Sequence, residues 1–226
     1  MQNLKNKIIM SLSVIAFVFG GVLAANAQKA EFGLRFMPTV SSFDVQSSSG
    51  GKIKGEATLG FGFGALLGFN FNKHIGIQGE LIYSSLAQKY NERELERRVN
   101  LKYVNIPLLL TLNTGKNNPV NFNIVAGPQI GIRVGSSLVT SGDNGTDEPD
   151  AILATKKGDV GFAYGAGLDF GLNTARTIRL GIGYRGVLGL FDISDNSNTI
   201  TTDSYYLLDR SHIKTNAAYV GLSLLF

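Results

Sequence analysis

The chain has two histidines, and His212 directly follows Ser211 and stands three residues after Asp209. A base near a hydroxyl and a carboxylate has the make-up of a nucleophilic triad. The spacing works against it, because adjacent residues on a strand point to opposite faces, which sets Ser211 and His212 apart. The other imidazole, His74, falls in the short polar stretch Asn72-Lys73-His74. Two glycine strings, GFGFGALLG and GAGLDFG, resemble dinucleotide loops only in composition. Neither keeps the G-x-G-x-x-G spacing, and no helical stretch follows to present its N-terminus to a phosphate. The acidic run Ser141 to Asp150, SGDNGTDEPD, lacks the residue order of a calcium loop. NERELERR, Asn91 to Arg98, reads as an exposed, salt-bridged loop, with an outer-surface partner or lipopolysaccharide as the functional alternative. No catalytic residue, cofactor site or metal site is expected from these patterns.

More informative are seven polar residues, Arg35, Glu80, Gln129, Arg133, Asp169, Arg179 and Arg185, each set among glycines in an alternating stretch. Buried charges persist only when paired. Asp169 and Arg179 flank the turn at 173–176 and should approach across it. The expectation is an internal, salt-bridged polar plug, which argues against a diffusion pore.

The elements that would carry these residues are strands. After residue 28 the sequence lacks a sustained helical repeat, and period-two alternation recurs in eight segments. They are Ala30–Val40, Ala57–Phe71, Ile75–Gln88, Val99–Leu112, Val120–Val134, Gly158–Leu172, Thr177–Leu190 and Ile213–Phe226. The second is the clearest: Leu59, Phe61, Phe63, Ala65, Leu67, Phe69 and Phe71 alternate with Gly60, Gly62, Gly64, Leu66, Gly68 and Asn70. Short turns at 72–74, 114–119 and 173–176 alternate with long polar segments at 41–56, 89–98, 135–157 and 191–212. That rhythm predicts an all-β, eight-stranded antiparallel up-and-down transmembrane β-barrel, with short periplasmic turns and long outer loops.

The N-terminus agrees with export. Lys5 and Lys7 precede an uncharged apolar run, Ile8 to Ala24, and Ala25-Asn26-Ala27 forms a cleavage site. Residues 1–27 are therefore expected to be a signal peptide, and residues 28–226 a single barrel domain. Without Lys5 and Lys7 the chain keeps 19 of its 21 Lys and Arg against 17 acidic residues, a net charge of about +2. No basic stripe suggests nucleic acid. There are no cysteines, so an exported domain must be stabilised without disulfides.

A soluble ligand-binding barrel would also alternate, with its apolar face inward. Four features favour lipid. The polar face is rich in glycine, which suits the narrow lumen of eight strands. The apolar face is bulky in every strand. Phe71, Phe122, Phe170 and Phe226 all lie at the short-turn end, as an interfacial aromatic girdle would. A closed barrel leaves no unpaired strand edge, as the bilayer core requires. The expected location is the bacterial outer membrane.

The final strand ends Ala218, Val220, Leu222, Leu224, Phe226 on one face, with no polar tail. Leu222, Leu224 and Phe226 are expected to be a signal for the barrel-assembly machinery, read by strand pairing before closure. Outer-membrane lipid is the other expected partner.

KYVNIPLLLTLN (Lys102 to Asn113), VAGPQIGI (Val125 to Ile132) and FAYGAGLDFGL (Phe162 to Leu172) resemble the PorT-like outer-membrane β-barrel family of Bacteroidota. The likeness covers nearly the whole mature chain; Y-x-N-I-P-L-L and A-G-P are its most specific parts. It implies an eight-stranded outer-membrane barrel, with envelope or secretion-system proteins as partners. Pro107 and Pro128 lie inside strands that closure makes central, where each removes a ladder donor; they are expected to form local bulges. The reading is a non-enzymatic barrel with a structural or interaction role through its long outer loops. An accessory part of a secretion apparatus and a lipid-modifying enzyme are the alternatives.

Overall fold

In a computed structural model, the structure describes residues 30–42, 45–46, 52–53, 55–92, 95–141, 156–191 and 213–226. Eight long strands build the wall: β1 (Ala30–Ser42), β2 (Leu59–Asn70), β3 (Ile75–Glu92), β4 (Leu95–Asn113), β5 (Val120–Ser141), β6 (Gly158–Gly171), β7 (Ile178–Gly189) and β8 (Lys214–Leu225). Each pairs antiparallel with its neighbours in the chain, and β8 returns to β1 through the register Glu31↔Leu225 to Ser42↔Lys214. Reciprocal bonds between Phe226 and Ala30 (2.9 and 3.3 Å) finish the seam. The sheet is thus closed. Three short pieces lie beyond the wall: Val45–Gln46 pairs with Lys52–Ile53, and Gly55–Ala57 pairs with the far end of β3.

The alternation sorts the side chains as the lipid reading requires. Phe36, Phe63, Leu81, Leu108, Ile130 and Leu222 are each about half exposed on the outer surface. Glu80, Asp169, Arg179 and Arg185 are buried inside. Phe71, Phe122 and Phe226 are exposed at the short-turn end, and Phe170 is half-buried there. Further up, outward rings meet in pairs, Phe63 with Tyr83 (5.4 Å) and Tyr164 with Tyr184 (6.2 Å).

Glycine makes room at two kinds of place. A Cβ at Gly167 or Gly183 would strike the Tyr219 ring or hydroxyl in the lumen. On the outer surface, Gly186 is the slot under the Tyr164 ring. The lumen is not wholly polar, however. Leu109, Val125 and Ala163 form one buried apolar group, and Met37, Ile82, Ala217 and Tyr219 another.

Two expectations need correction. The stretch 89–98 is mostly strand: Lys89↔Arg98, Tyr90↔Arg97, Asn91↔Glu96 and Glu92↔Leu95 continue the β3–β4 ladder. Likewise β5 runs on to Ser141 against Glu96. Polarity marks where the bilayer ends, but the ladder needs only a partner strand. Nor do the prolines create bulges. Pro128↔Phe162 and Pro107↔Gln129 keep the register of the pairs that flank them. The ladder skips a few positions nearby and resumes in the same register at Leu110↔Ala126 and Ile82↔Asn105. Proline's fixed φ is tolerated in extended chain, so the loss is confined to the missing N–H. The register shift of this wall lies instead at Lys102/Tyr103, opposite Arg133 and Gly135. The expected signal peptide and the segments 142–155 and 192–212 fall outside the described residues.

Candidate functional site

The polar side chains inside the barrel form three tiers. The first closes the short-turn end. The turn at 114–119 folds inward, burying Lys116, whose Nζ lies 2.7 Å from Glu31 Oε2 and 3.6 Å from Asp169 Oδ2. The Asp169 carboxylate also accepts from Asn121 Nδ2 (2.9 Å) and Asn123 Nδ2 (3.0 Å). Asn121 in turn donates to Asn113 and accepts from the Gly115 amide, both within 3.0 Å. Burial works against the Lys116 charge, but Glu31 and Asp169 outweigh it and hold the ammonium above its usual pKa.

Arg179, fully buried, clamps this turn through backbone carbonyls. It donates to Lys116 O (2.8 Å), Asn118 O (3.2 Å) and Asp169 O (2.9 Å). Asp169 and Arg179 therefore meet across the 173–176 turn, but not as the expected ion pair. Lys116 and the asparagines already occupy the Asp169 carboxylate, and the guanidinium satisfies turn carbonyls instead.

The second tier is a node on Glu80, whose side chain is fully enclosed. Arg35 Nη1 reaches Glu80 Oε1 at 2.6 Å. Arg185 binds both carboxylate oxygens, at 3.0 and 3.1 Å. Gln78 donates to the same carboxylate. Arg35 also lies over the Tyr219 ring, 4.5 Å from its centroid, a favourable cation–π geometry. Two guanidiniums thus share one carboxylate, in geometry where removal of the carboxylate would strand both.

Above this node, toward the long-segment end, is a small void lined by Tyr103, Asn105, Gln129, Asp159, Arg185 and Ile213, among others. It has room for about three waters. Gln129 donates to Asn105 (3.4 Å) and Asn105 to Ser84 (3.0 Å). The Tyr103 hydroxyl is buried without a hydrogen-bond partner among the described residues. Arg133 lies beyond, donating to Ser136 (2.9 Å).

Of the seven residues singled out in the sequence, Arg35, Glu80 and Arg185 come together. Asp169 and Arg179 meet at the other end, while Gln129 and Arg133 stand apart from both groups. Glu31, Asn121, Asn123, Lys116 and Tyr219 were not singled out. Strand parity put Glu31 and the two asparagines inside, in step with Gly33, Arg35 and Gly127. Lys116 had no such signal, because a turn has no period. His74 sits at the short-turn rim with Nδ1 3.0 Å from Asn113 O. Asp209, Ser211 and His212 lie outside the described residues. Leu222 and Leu224 on β8, and Phe226 just after it, are about half exposed on the outer surface.

A family model described as "Outer membrane protein beta-barrel domain" matches residues 26–195. No curated protein matches the sequence. Among solved structures, the chain is similar to the outer membrane protein OprG from Pseudomonas aeruginosa, at 14% identity and a TM-score of 0.54, covering 89% of this chain and 98% of that one. It is also similar to Neisserial surface protein A, at 13% identity and a TM-score of 0.48, covering 89% and 99%. The outer membrane protease OmpT from Escherichia coli is 10% identical with a TM-score of 0.45, covering 90% and 98%. At such identities the likeness speaks to the fold alone.

Proposed function

The chain belongs to the outer membrane protein beta-barrel domain family, and from that premise we propose that it is a sealed, non-enzymatic barrel of the bacterial outer membrane that acts through its outer surface. The lumen is plugged, and the long segments at the outer end carry the contacts with other envelope components. One observation supports this most: two ion-pair tiers cross the lumen, Lys116 with Glu31 and Asp169 at one end and Arg35 with Glu80 and Arg185 nearer the middle. Paired charges across the lumen, together with buried Tyr219, Leu109 and Met37, support a lumen closed to solutes. Leu222, Leu224 and Phe226 then serve during biogenesis, before β8 meets β1. The test is conductance across a planar bilayer. The purified barrel should give no steady single-channel steps; regular steps from the unaltered protein would refute a sealed lumen.

A second reading, an accessory role in a secretion apparatus, draws on the PorT-like segments at Lys102 to Asn113, Val125 to Ile132 and Phe162 to Leu172. It requires a stable envelope partner, seen as a defined complex after cross-linking in native membranes; recovery of the barrel alone would count against it.

A further inference from the structure

The short-turn end carries a charge pattern of its own. Its three turns, residues 71–74, 114–119 and 172–177, contain Lys73, His74, Lys116 and Arg176 but no aspartate or glutamate. They are joined into one platform: the Lys116 amide donates to Lys73 O (3.1 Å), the Asn113 amide to His74 O (2.7 Å), and Arg176 Nη1 to Asn117 O (2.6 Å). Lys116 turns inward and is neutralised there, and the nearest carboxylates, Glu31 and Asp169, are buried with it. Lys73 and Arg176 are exposed and have no acidic partner among the described residues.

Arg176 has φ 56°, the one non-glycine residue with positive φ among the described residues. Side chains seldom occupy this region; glycine and asparagine do so most readily. Its amide closes the turn on Asn173 O (2.9 Å), so the hairpin itself fixes where this side chain leaves the backbone. Beside Arg176 is a concavity of ≈ 200 Å³ lined by Asn117, Thr174, Ala175, Arg176 and Leu225. The Nε and Nη2 groups of Arg176 have no hydrogen-bond partner among the described residues, so donors remain. A guanidinium matches phosphate oxygens in pairs. Exposed Phe71, Phe122 and Phe226 at the same end set the turns at headgroup level, where aromatic girdles lie.

We propose that this pocket binds the phosphate of a phospholipid headgroup in the periplasmic leaflet, with Arg176 as the principal contact and Lys73 as a supporting charge. The proposal rests on the outer-membrane placement of the barrel and is independent of whether its lumen is sealed.

The experiment is native mass spectrometry of the full processed barrel released from nanodiscs of phosphatidylethanolamine and phosphatidylglycerol. Phosphatidylglycerol should be retained by the unaltered protein. Arg176→Asn, which suits the left-handed backbone, should weaken retention about tenfold, the scale of one lost charge-assisted hydrogen bond. Lys73→Gln should weaken it about two- to threefold. Lys214→Gln, at the opposite end, should leave it unchanged, and Arg176→Lys should fall between Asn and wild type. A heat-modifiable gel shift confirms that each variant is folded. Equal retention by Arg176→Asn and wild type, or an equal loss in Lys214→Gln, overturns the proposal. Inorganic phosphate serves as a second probe: Arg176-dependent binding of it without retention of the lipid would assign the site to free phosphate and likewise reject the headgroup.

Discussion

Glu80 and Asp169 are both carboxylates buried inside the same barrel, yet they are held in different ways. Glu80 alone serves two guanidiniums, Arg35 at 2.6 Å and Arg185 at 3.0 Å. Asp169 shares Lys116 with Glu31 and accepts two asparagine amides. One tier hangs on a single atom group; the other spreads its charge over a turn, three strands and several neutral amides. The difference shows what burial demands. A buried ion is tolerable when its loss can be shared, and it is most consequential where no neighbour can substitute.

The sharpest test of that comparison is to remove each carboxylate in turn. Glu80→Ala leaves two enclosed guanidiniums without a counter-charge and should lower unfolding free energy by about 3–5 kcal/mol. Asp169→Ala leaves Lys116 still paired with Glu31 at 2.7 Å and Asn121 still bonded to Asn113 at 3.0 Å. Its effect should be nearer 1–3 kcal/mol, the scale of lost hydrogen bonds to a charged group. Urea unfolding of both variants in detergent micelles measures the difference. Equal losses, or a larger loss for Asp169→Ala, would break the comparison.

Which parts of this arrangement could be read from the residues alone follows from the same physics. The wall was legible because hydrocarbon and a narrow lumen each select side chains, so Phe61, Phe63 and Leu67 alternate with glycines in the sequence as they do in the barrel. The outer ends were not, because beyond the bilayer that selection ceases while the ladder continues. Lys89↔Arg98 and Asn91↔Glu96 are strand pairs written in loop-like residues. Parity also indicated which charges face inward, and Arg35, Glu80 and Arg185 were found by it. It could not tell a carboxylate partner from a carbonyl one, and so Arg179 was matched to the wrong group of Asp169. Pro107 and Pro128 misled for a related reason: sequence shows that a donor is missing, but the adjoining pairs decide whether register shifts. The inward fold of the 114–119 turn depends on carbonyls that Arg179 and Arg176 reach from another hairpin, and no local pattern encodes that.

A smaller effect separates the two tiers by pH. The cations on Glu80 are arginines, which stay charged throughout the accessible range. The cation at the turn is a lysine. Its pKa in the folded protein is raised above the ordinary value near 10.5, since Glu31 and Asp169 outweigh the effect of burial. A group shifted upward on folding contributes stability that is complete below its unfolded pKa and disappears as pH rises through the folded one. The Lys116 contribution should therefore be constant from neutral pH to about 10, then decline above 10.5. Lys116→Met keeps the bulk and removes the charge, so its stability should lack that decline. Every other ionisable group is common to the two proteins, so the difference between the two unfolding profiles isolates the lysine. A difference that stays flat to about pH 12 would mean that Lys116 holds the turn through packing and the Lys116 carbonyl bond to Arg179 alone. In that case the short-turn tier would depend on its amides even more than the contrast with Glu80 implies.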